Sequence, residues 1–140
     1  MAMTTIDVLF LAGRLVLGGY FLLSAVNHFA KAEMMAGYAK MKGVPAPRLA
    51  VFGTGTLLLA GSLSLLLGIY PAVGLGLLAL FLLGVTPQMH AFWKETDPMA
   101  RMGEQVNFLK NAALLGAVLA LYAVPTPWMF SITAPPLFGF

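Results

Sequence analysis

The chain has 140 residues, of which 60% are hydrophobic and only 9% are charged. Soluble domains carry about 25% charged residues, so this composition excludes a surface that mostly faces water and indicates one domain embedded in a membrane. The absence of cysteine excludes disulfides, thiolate nucleophiles and cysteine-ligated metal sites. The net charge of +3, without a Lys/Arg-rich block, argues against nucleic acid as a partner.

Four apolar stretches are each long enough to cross a hydrocarbon core of about 30 Å as a helix. The first lacks a basic n-region and contains an arginine, so it is predicted to be a retained helix and not a cleaved signal peptide. We therefore expect an all-α fold, an integral membrane four-helix bundle that forms a single domain over residues 1–140. The predicted spans are residues 5–27, 48–70, 71–90 and 106–124.

The loops between these stretches differ in charge. The basic residues outside the first stretch fall between stretches one and two or between stretches three and four, with one just inside stretch four: Lys31, Lys40, Lys42, Arg48, Lys94, Arg101 and Lys110. Because positively charged loops stay in the cytoplasm, both long loops are predicted there and both termini outside. The expected location is a bacterial-type cytoplasmic (inner) membrane, with the lipid bilayer as surroundings.

Two segments outside the stretches have amphipathic patterns. Residues 30–42 place Met34, Met35, Tyr38 and Met41 on one helical face, which predicts a short helix on the cytoplasmic headgroups. The alternative is a methionine-rich lid that packs against the bundle. The tail is rich in aromatic residues, which suit an interfacial belt on the outer side: Trp128, Phe130, Phe138 and Phe140.

Arg14 lies near the middle of the first stretch, where an arginine costs about 2.5–3.5 kcal/mol on insertion scales. Asp7, Arg14, Phe21 and His28 are spaced by seven and form one stripe. Side chains lean toward the helix N-terminus, which directs Arg14 toward Asp7. One interpretation is that Arg14 snorkels outward to Asp7, water or lipid phosphate. The other is that it binds an anionic or carbonyl-bearing ligand inside the bundle.

A second group of polar residues gathers at the predicted cytoplasmic end of three different stretches. Ionisable groups at membrane depth are functional candidates, and histidine titrates near neutrality. Ordinary interfacial residues are the alternative interpretation. The candidate ligand-binding residues are Arg14, His28, His90, Trp93, Asn107, Lys110 and Asn111, supported by Asp7, Asn27 and Gln105. No metal site is predicted, and haem is disfavoured because both histidines lie at the ends of stretches.

The sequence resembles the DoxX family of small four-helix membrane proteins. The similarity lies in GRLVLGGYFLLSAVNHF (residues 13–29), GVPAP (43–47), GSLSLLLG (61–68), HAFWKETDP (90–98) and QVNFLKNAALLG (105–116). Members are described as membrane subunits linked to oxidoreductases, including a small subunit of a thiosulfate:quinone oxidoreductase. One departure is that many relatives have an acidic residue in the second span before a Gly-Gly pair, where this chain reads TLLLAGSL (56–63).

This resemblance implies a quinone-facing or anchoring subunit associated with an oxidoreductase, with quinone as the suggested ligand and other oxidoreductase or membrane subunits as partners. Two alternatives remain open. One is a non-catalytic structural or accessory subunit of a larger membrane complex, and the other is a small transporter that binds lipids or anions through Arg14. An autonomous enzyme is not favoured, because no thiol, metal set or paired inward carboxylates are present.

Overall fold

The computed structural model describes residues 3–132, and within this range the fold is all-helical. A short 3-10 helix, Phe92–Lys94, joins the last two α-helices. The five α-helices are α1 (Thr5–Ala30), α2 (Ala32–Met41), α3 (Pro47–Leu67), α4 (Pro71–Met89) and α5 (Pro98–Tyr122).

In the part of the chain that the structure describes, three segments are long and apolar enough to cross a membrane: Thr5–Ala30, Pro47–Leu67 and Pro71–Lys94. They coincide with the first three predicted spans. α5 is longer than the fourth apolar stretch and begins at Pro98, because the Asp97 side chain accepts a hydrogen bond from the amide of Ala100 at 2.8 Å and caps the helix there. Its first turns are polar, and the fourth crossing expected for residues 106–124 remains a prediction.

The start of α1 is fixed by a capping box. The Thr4 hydroxyl accepts from the amide of Asp7, and the Asp7 carboxylate accepts from the amide of Thr4 at 2.8 Å. A carboxylate in the first turn also interacts favourably with the helix dipole. Asp7 thus has a structural role at the end of its own helix.

The helices pack in the order α1, α3, α4, α5, and α2 lies across the end of α3. Within the described residues, α1 and α5 have little direct backbone contact. The core between the helices is formed by Phe21, Ala25, Leu58, Leu65, Leu75, Leu78, Leu82, Val118 and Trp128. The helices are therefore closely packed from α1 through α3 and α4 to α5, whereas α1 and α5 contact each other little.

Two glycines let α3 and α4 approach closely. A Cβ added to Gly61 would lie 2.7 Å from Leu78 and 3.0 Å from the carbonyl oxygen of Gly74, and a Cβ added to Gly74 would collide with Ser64. Small residues at helix interfaces allow this approach in membranes, where dispersion must replace the hydrophobic drive. Residues of this closely packed α3–α4 pair form much of the wall of the apolar cavity described below.

The C-terminal segment of residues 123–132 folds back over the end of the bundle where α1 begins. Trp128 is buried, its ring packs edge-to-face on Phe10 at 5.2 Å, and its Nε1 donates to the carbonyl of Val124 at 3.4 Å. The expectation of an interfacial belt is therefore wrong for Trp128, although Phe130 is exposed. Phe138 and Phe140 lie outside the described residues.

Candidate functional site

A polar cavity of about 230 Å³ lies between α1, α2, α4 and α5, at the end of the bundle opposite the start of α1. Two of its walls, α1 and α5, have little direct backbone contact with each other. Its polar lining comes from Ser24, His28, Tyr38, His90, Lys110 and Asn111, and its apolar wall includes Phe81 and Met89. A concave site with a few convergent polar groups among apolar side chains is the usual form of a small-molecule site.

A larger apolar cavity of about 380 Å³ lies beside it, between α2, α3 and α4. Its lining is almost entirely aliphatic, with His28 and Gln88 among the few polar exceptions. The two cavities share the wall residues His28, Met35, Phe81, Val85 and Met89. The cavity that carries the polar groups therefore adjoins an almost wholly apolar one, and the two have these wall residues in common.

His28 is placed by close packing of α1 on α3. A Cβ on Gly55 would lie 2.9 Å from the Cβ of His28, so the glycine makes room for the imidazole. The His28 ring is buried and packs edge-to-face on Phe81 at 5.9 Å. Its Nδ1 is 2.7 Å from the carbonyl oxygen of Ser24. A carbonyl only accepts, so Nδ1 carries the hydrogen, and Nε2 of the neutral ring is a hydrogen-bond acceptor.

Glu104 is the centre of a second group of polar side chains. Tyr38 Oη donates to Glu104 Oε1 at 2.6 Å, His90 Nδ1 lies 2.7 Å from Oε2, and Lys42 Nζ lies 3.1 Å from Oε1. Lys42 also forms an ion pair with Glu95 at 2.8 Å. We call these five residues the Glu104 cluster. It joins α2, the connection after α4, and α5.

The electrostatics of the Glu104 cluster follow from these contacts. Burial alone would raise the pKa of Glu104, but hydrogen bonds from Tyr38, His90 and Lys42 outweigh it and lower the pKa from 4.5 to about 2. The hydrogen bond to Glu95, helped by Glu104, raises the pKa of Lys42 above its ordinary value. Burial and the contact with Glu104 raise the pKa of Tyr38. At neutral pH, Glu104 is therefore anionic and Lys42 cationic.

The structure brings four of the predicted site residues to one cavity: His28, His90, Lys110 and Asn111. The other members of that predicted group lie outside its lining. Asn27 and Gln105 are exposed, and Asn107 contacts Lys110 at 3.4 Å. Trp93 is 51% exposed and stacks edge-to-face with Phe92 and Phe108 at 5.2 and 5.8 Å. Within residues 3–132, no three His, Asp or Glu side chains gather as a metal-ligand set.

Arg14 is fully buried at the other end of the bundle and is not directed to Asp7. It donates to the carbonyl oxygens of Leu65 at 3.2 Å, Leu66 at 3.1 Å and Met129 at 2.7 Å. Within the described residues, no carboxylate lies within ion-pair distance of it. The carbonyls at the end of α3 lack helical partners and form the negative end of its dipole, so a cation is favoured there.

The contacts of Arg14 correct the interpretation that it extends outward to Asp7. The predicted contact with Asp7 is wrong because Asp7 caps its own helix and Arg14 turns to α3. The guanidinium also lies over the Trp128 ring at 5.2 Å and the Phe10 ring at 5.9 Å, which contributes cation–π attraction. With its nitrogens engaged and no surface exposed, Arg14 fastens the C-terminal segment to α1 and α3.

Sequence reasoning missed Glu104 and Tyr38 as members of this site. Glu104 precedes the apolar stretch that predicts the fourth span. Tyr38 lies on the methionine-rich face of the predicted helix at residues 30–42, which indicates contact with headgroups or with the bundle and not a polar site. The sequence did contain an indication of Glu104's place in the site. It lies three residues before Asn107 and so extends the polar face of α5 that Asn107 and Lys110 share. Its partner on α2 could not be read from spacing, since 66 residues separate Tyr38 from Glu104.

α2 packs on the end of α3, as the lid interpretation of residues 30–42 requires. Ala36 and Ala39 are buried, and Met35 lines both cavities. Met34 and Met41 remain 66% and 83% exposed, so they are free to contact headgroups. Contact of that exposed face with headgroups remains a prediction.

Comparison with known proteins gives a family but no closer relative. Neither the curated proteins nor the solved structures contain a significant match to this chain. The DoxX family model matches residues 9–91, more than half of the chain, and covers most of α1 and all of α2, α3 and α4. The matched region contains His28, Tyr38 and His90, whereas Glu104 and Asn111 lie beyond it. This membrane protein belongs to the DoxX family.

Proposed function

We propose that this protein is a quinone-binding membrane subunit that serves an oxidoreductase partner. The observation that carries the proposal is the polar cavity that adjoins an apolar cavity across shared wall residues. An isoprenoid quinone likewise has a polar part and an apolar part, because it joins a ring with two oxygen atoms to a hydrocarbon tail. The ring would occupy the polar cavity and the tail the apolar cavity.

The lining groups suit such a ring. Asn111 is buried and its amide both donates and accepts, while Lys110 brings a cationic donor to the same cavity. Phe81 and the methionines offer apolar contact to the faces of the ring. A few placed polar groups in an otherwise apolar pocket fix the orientation of a ligand.

Redox chemistry at a quinone requires a cofactor or a redox-active partner to carry the electrons. The side chains around the polar cavity can bind, orient and exchange protons, so the proposal assigns electron transfer to another subunit. α5 supplies the fourth crossing in this proposal. The basic loops face the cytoplasm, both termini lie outside, and the membrane is the cytoplasmic (inner) membrane of a bacterial-type cell.

The transporter alternative based on Arg14 finds no support in the geometry, because that side chain is buried and engaged with backbone carbonyls. A structural subunit without a ligand is the second candidate. It is favoured by the Glu104 cluster, whose members hold one another and tie three segments together. These two functions differ in whether the cavities bind a ligand.

The test is to purify the chain from its membrane in mild detergent and analyse an organic extract by absorbance and mass spectrometry. We expect about one quinone per chain. Asn111→Leu should lose it, whereas Asn107→Leu, on the same helix but outside the cavity lining, should retain it. A quinone-free wild-type protein would favour the structural subunit. Protein mass spectrometry of the same sample would identify an oxidoreductase partner.

A further inference from the structure

We propose that the polar cavity prefers the reduced, dihydroxy form of its ligand, a quinol, over the oxidised quinone. The inference rests on the proposed function and extends it by naming the redox form that binds. It follows from the hydrogen positions on the two histidines that line the cavity, His28 and His90.

The first acceptor is His28. Its Nδ1 must carry the hydrogen, because the group 2.7 Å away is the backbone carbonyl of Ser24, which can only accept. The neutral imidazole holds one hydrogen, so Nε2 has a free lone pair. His28 is therefore fixed in the tautomer that accepts at Nε2.

The second acceptor is His90. Its Nδ1 lies 2.7 Å from Glu104 Oε2, and the other oxygen of that carboxylate already accepts from Tyr38 and faces the Lys42 ammonium. A carboxylate held by two further donors is an acceptor, so Nδ1 of His90 donates to it. A carboxylate behind an imidazole fixes the tautomer. Nε2 of neutral His90 thus accepts as well.

Neither Nε2 atom has a hydrogen-bond partner among residues 3–132. In the same part of the chain, the one fully buried side-chain nitrogen or oxygen that lacks a partner is Ser131 Oγ. Both Nε2 atoms therefore keep accessible surface, and both rings line the polar cavity. The site therefore has two hydrogen-bond acceptors, the Nε2 atoms of His28 and His90, to which no described residue donates.

A quinol supplies what these acceptors lack. Its two hydroxyl groups donate, whereas the carbonyl oxygens of a quinone can only accept. Lys110 and the Asn111 amide can donate to an oxygen of either form, so they do not discriminate. Binding a quinone would leave two desolvated imidazole nitrogens unpaired, and unpaired buried polar groups are the strongest source of discrimination between similar ligands.

The test measures dissociation constants for short-chain ubiquinol, ubiquinone and the dimethyl ether of the quinol on wild-type protein in nanodiscs. The measurements are made at pH 8 under anaerobic conditions, which keep the quinol reduced. We expect the quinol to bind roughly 10-fold more tightly than the quinone or the ether, as one or two net hydrogen bonds would give.

His28→Phe keeps an aromatic ring but removes an acceptor, and it leaves the Glu104 cluster intact. It should weaken quinol binding several-fold and change quinone binding less than about 2-fold. Asn27→Leu, the exposed neighbour, is the matched control and should change neither. Equal or tighter binding of the quinone to wild type would overturn the preference while the proposed function stands. Failure of all three compounds to bind would overturn both.

Discussion

Tyr38 in α2 donates a hydrogen bond of 2.6 Å to a carboxylate oxygen of Glu104 in α5. This contact holds the short helix against the bundle, where its inner face lines both cavities. Since Glu104 also binds His90, one carboxylate links α2 to a histidine of the polar cavity. Glu104 is therefore in contact both with α2 and with a residue that lines the polar cavity.

The melting temperature of the protein at acidic pH should depend on the contacts of Glu104. The pKa of Glu104 is lowered from 4.5 to about 2, so its ionised form stabilises the fold above pH 4.5, and that stabilisation is lost as the pH falls toward 2. We expect the melting temperature in detergent to fall over this interval in wild type and to fall less in Glu104→Gln. Glu33→Gln is the control, because its pair with Arg48 is largely exposed. Identical acid profiles for wild type and Glu104→Gln would contradict this role.

Replacing Arg14 should release the C-terminal segment. Arg14→Leu leaves the carbonyls of Leu65, Leu66 and Met129 without their donor, which we expect to cost on the order of 3 kcal/mol. Limited chymotrypsin digestion should then cleave near Trp128 in the variant and spare it in wild type. Arg101→Leu, an exposed arginine of α5, should behave as wild type. Equal resistance of Arg14→Leu would show that the arginine does not fasten this segment.

The α3–α4 contact should be sensitive to a single methyl group. Gly74→Ala would collide with Ser64, and we expect it to destabilise the bundle by about 1–3 kcal/mol. Gly76→Ala meets open space two residues later, so its better helix propensity should leave stability equal or up to about 1 kcal/mol higher. Thermal unfolding in detergent distinguishes the two. A tolerated Gly74→Ala would mean that the helices are less closely packed than described.

Much of the fold was predictable because membrane-spanning helices are long and apolar, and because proline often occupies the first turn of a helix. Pro47 and Pro71 are the first residues of α3 and α4, which begin close to the predicted starts at residues 48 and 71. The shared location of His28, His90 and Asn111 was also predictable from the topology. The first and third predicted spans end, and the fourth begins, on the same side of the membrane. The beginning of α5 was missed because hydropathy follows apolar residues, whereas Asp97 sets the helix start.

The partners of buried polar groups were not predictable, and Arg14 shows why. A heptad stripe within α1 suggested Asp7, but the contacts are backbone carbonyls of α3 and of residue 129, and carbonyls carry no sequence signature. Glu104 was missed for a related reason. Its three donors come from α2, from the loop after it and from the end of α4, and only the folded chain brings them together.

The most direct test of ligand binding in the joined cavities is to fill the apolar one. Gly84 lines that cavity, and a Cβ added there meets nothing within 4 Å, so we expect Gly84→Leu to place its side chain in the cavity. Gly76→Leu is matched in helix and chemistry but lies outside the lining of both cavities. Titration of long-chain quinone and quinol into nanodiscs should give at least about 10-fold weaker binding for Gly84→Leu and unchanged binding for Gly76→Leu. Equal affinities for the two variants, or no binding to wild type, would contradict a ligand in these cavities.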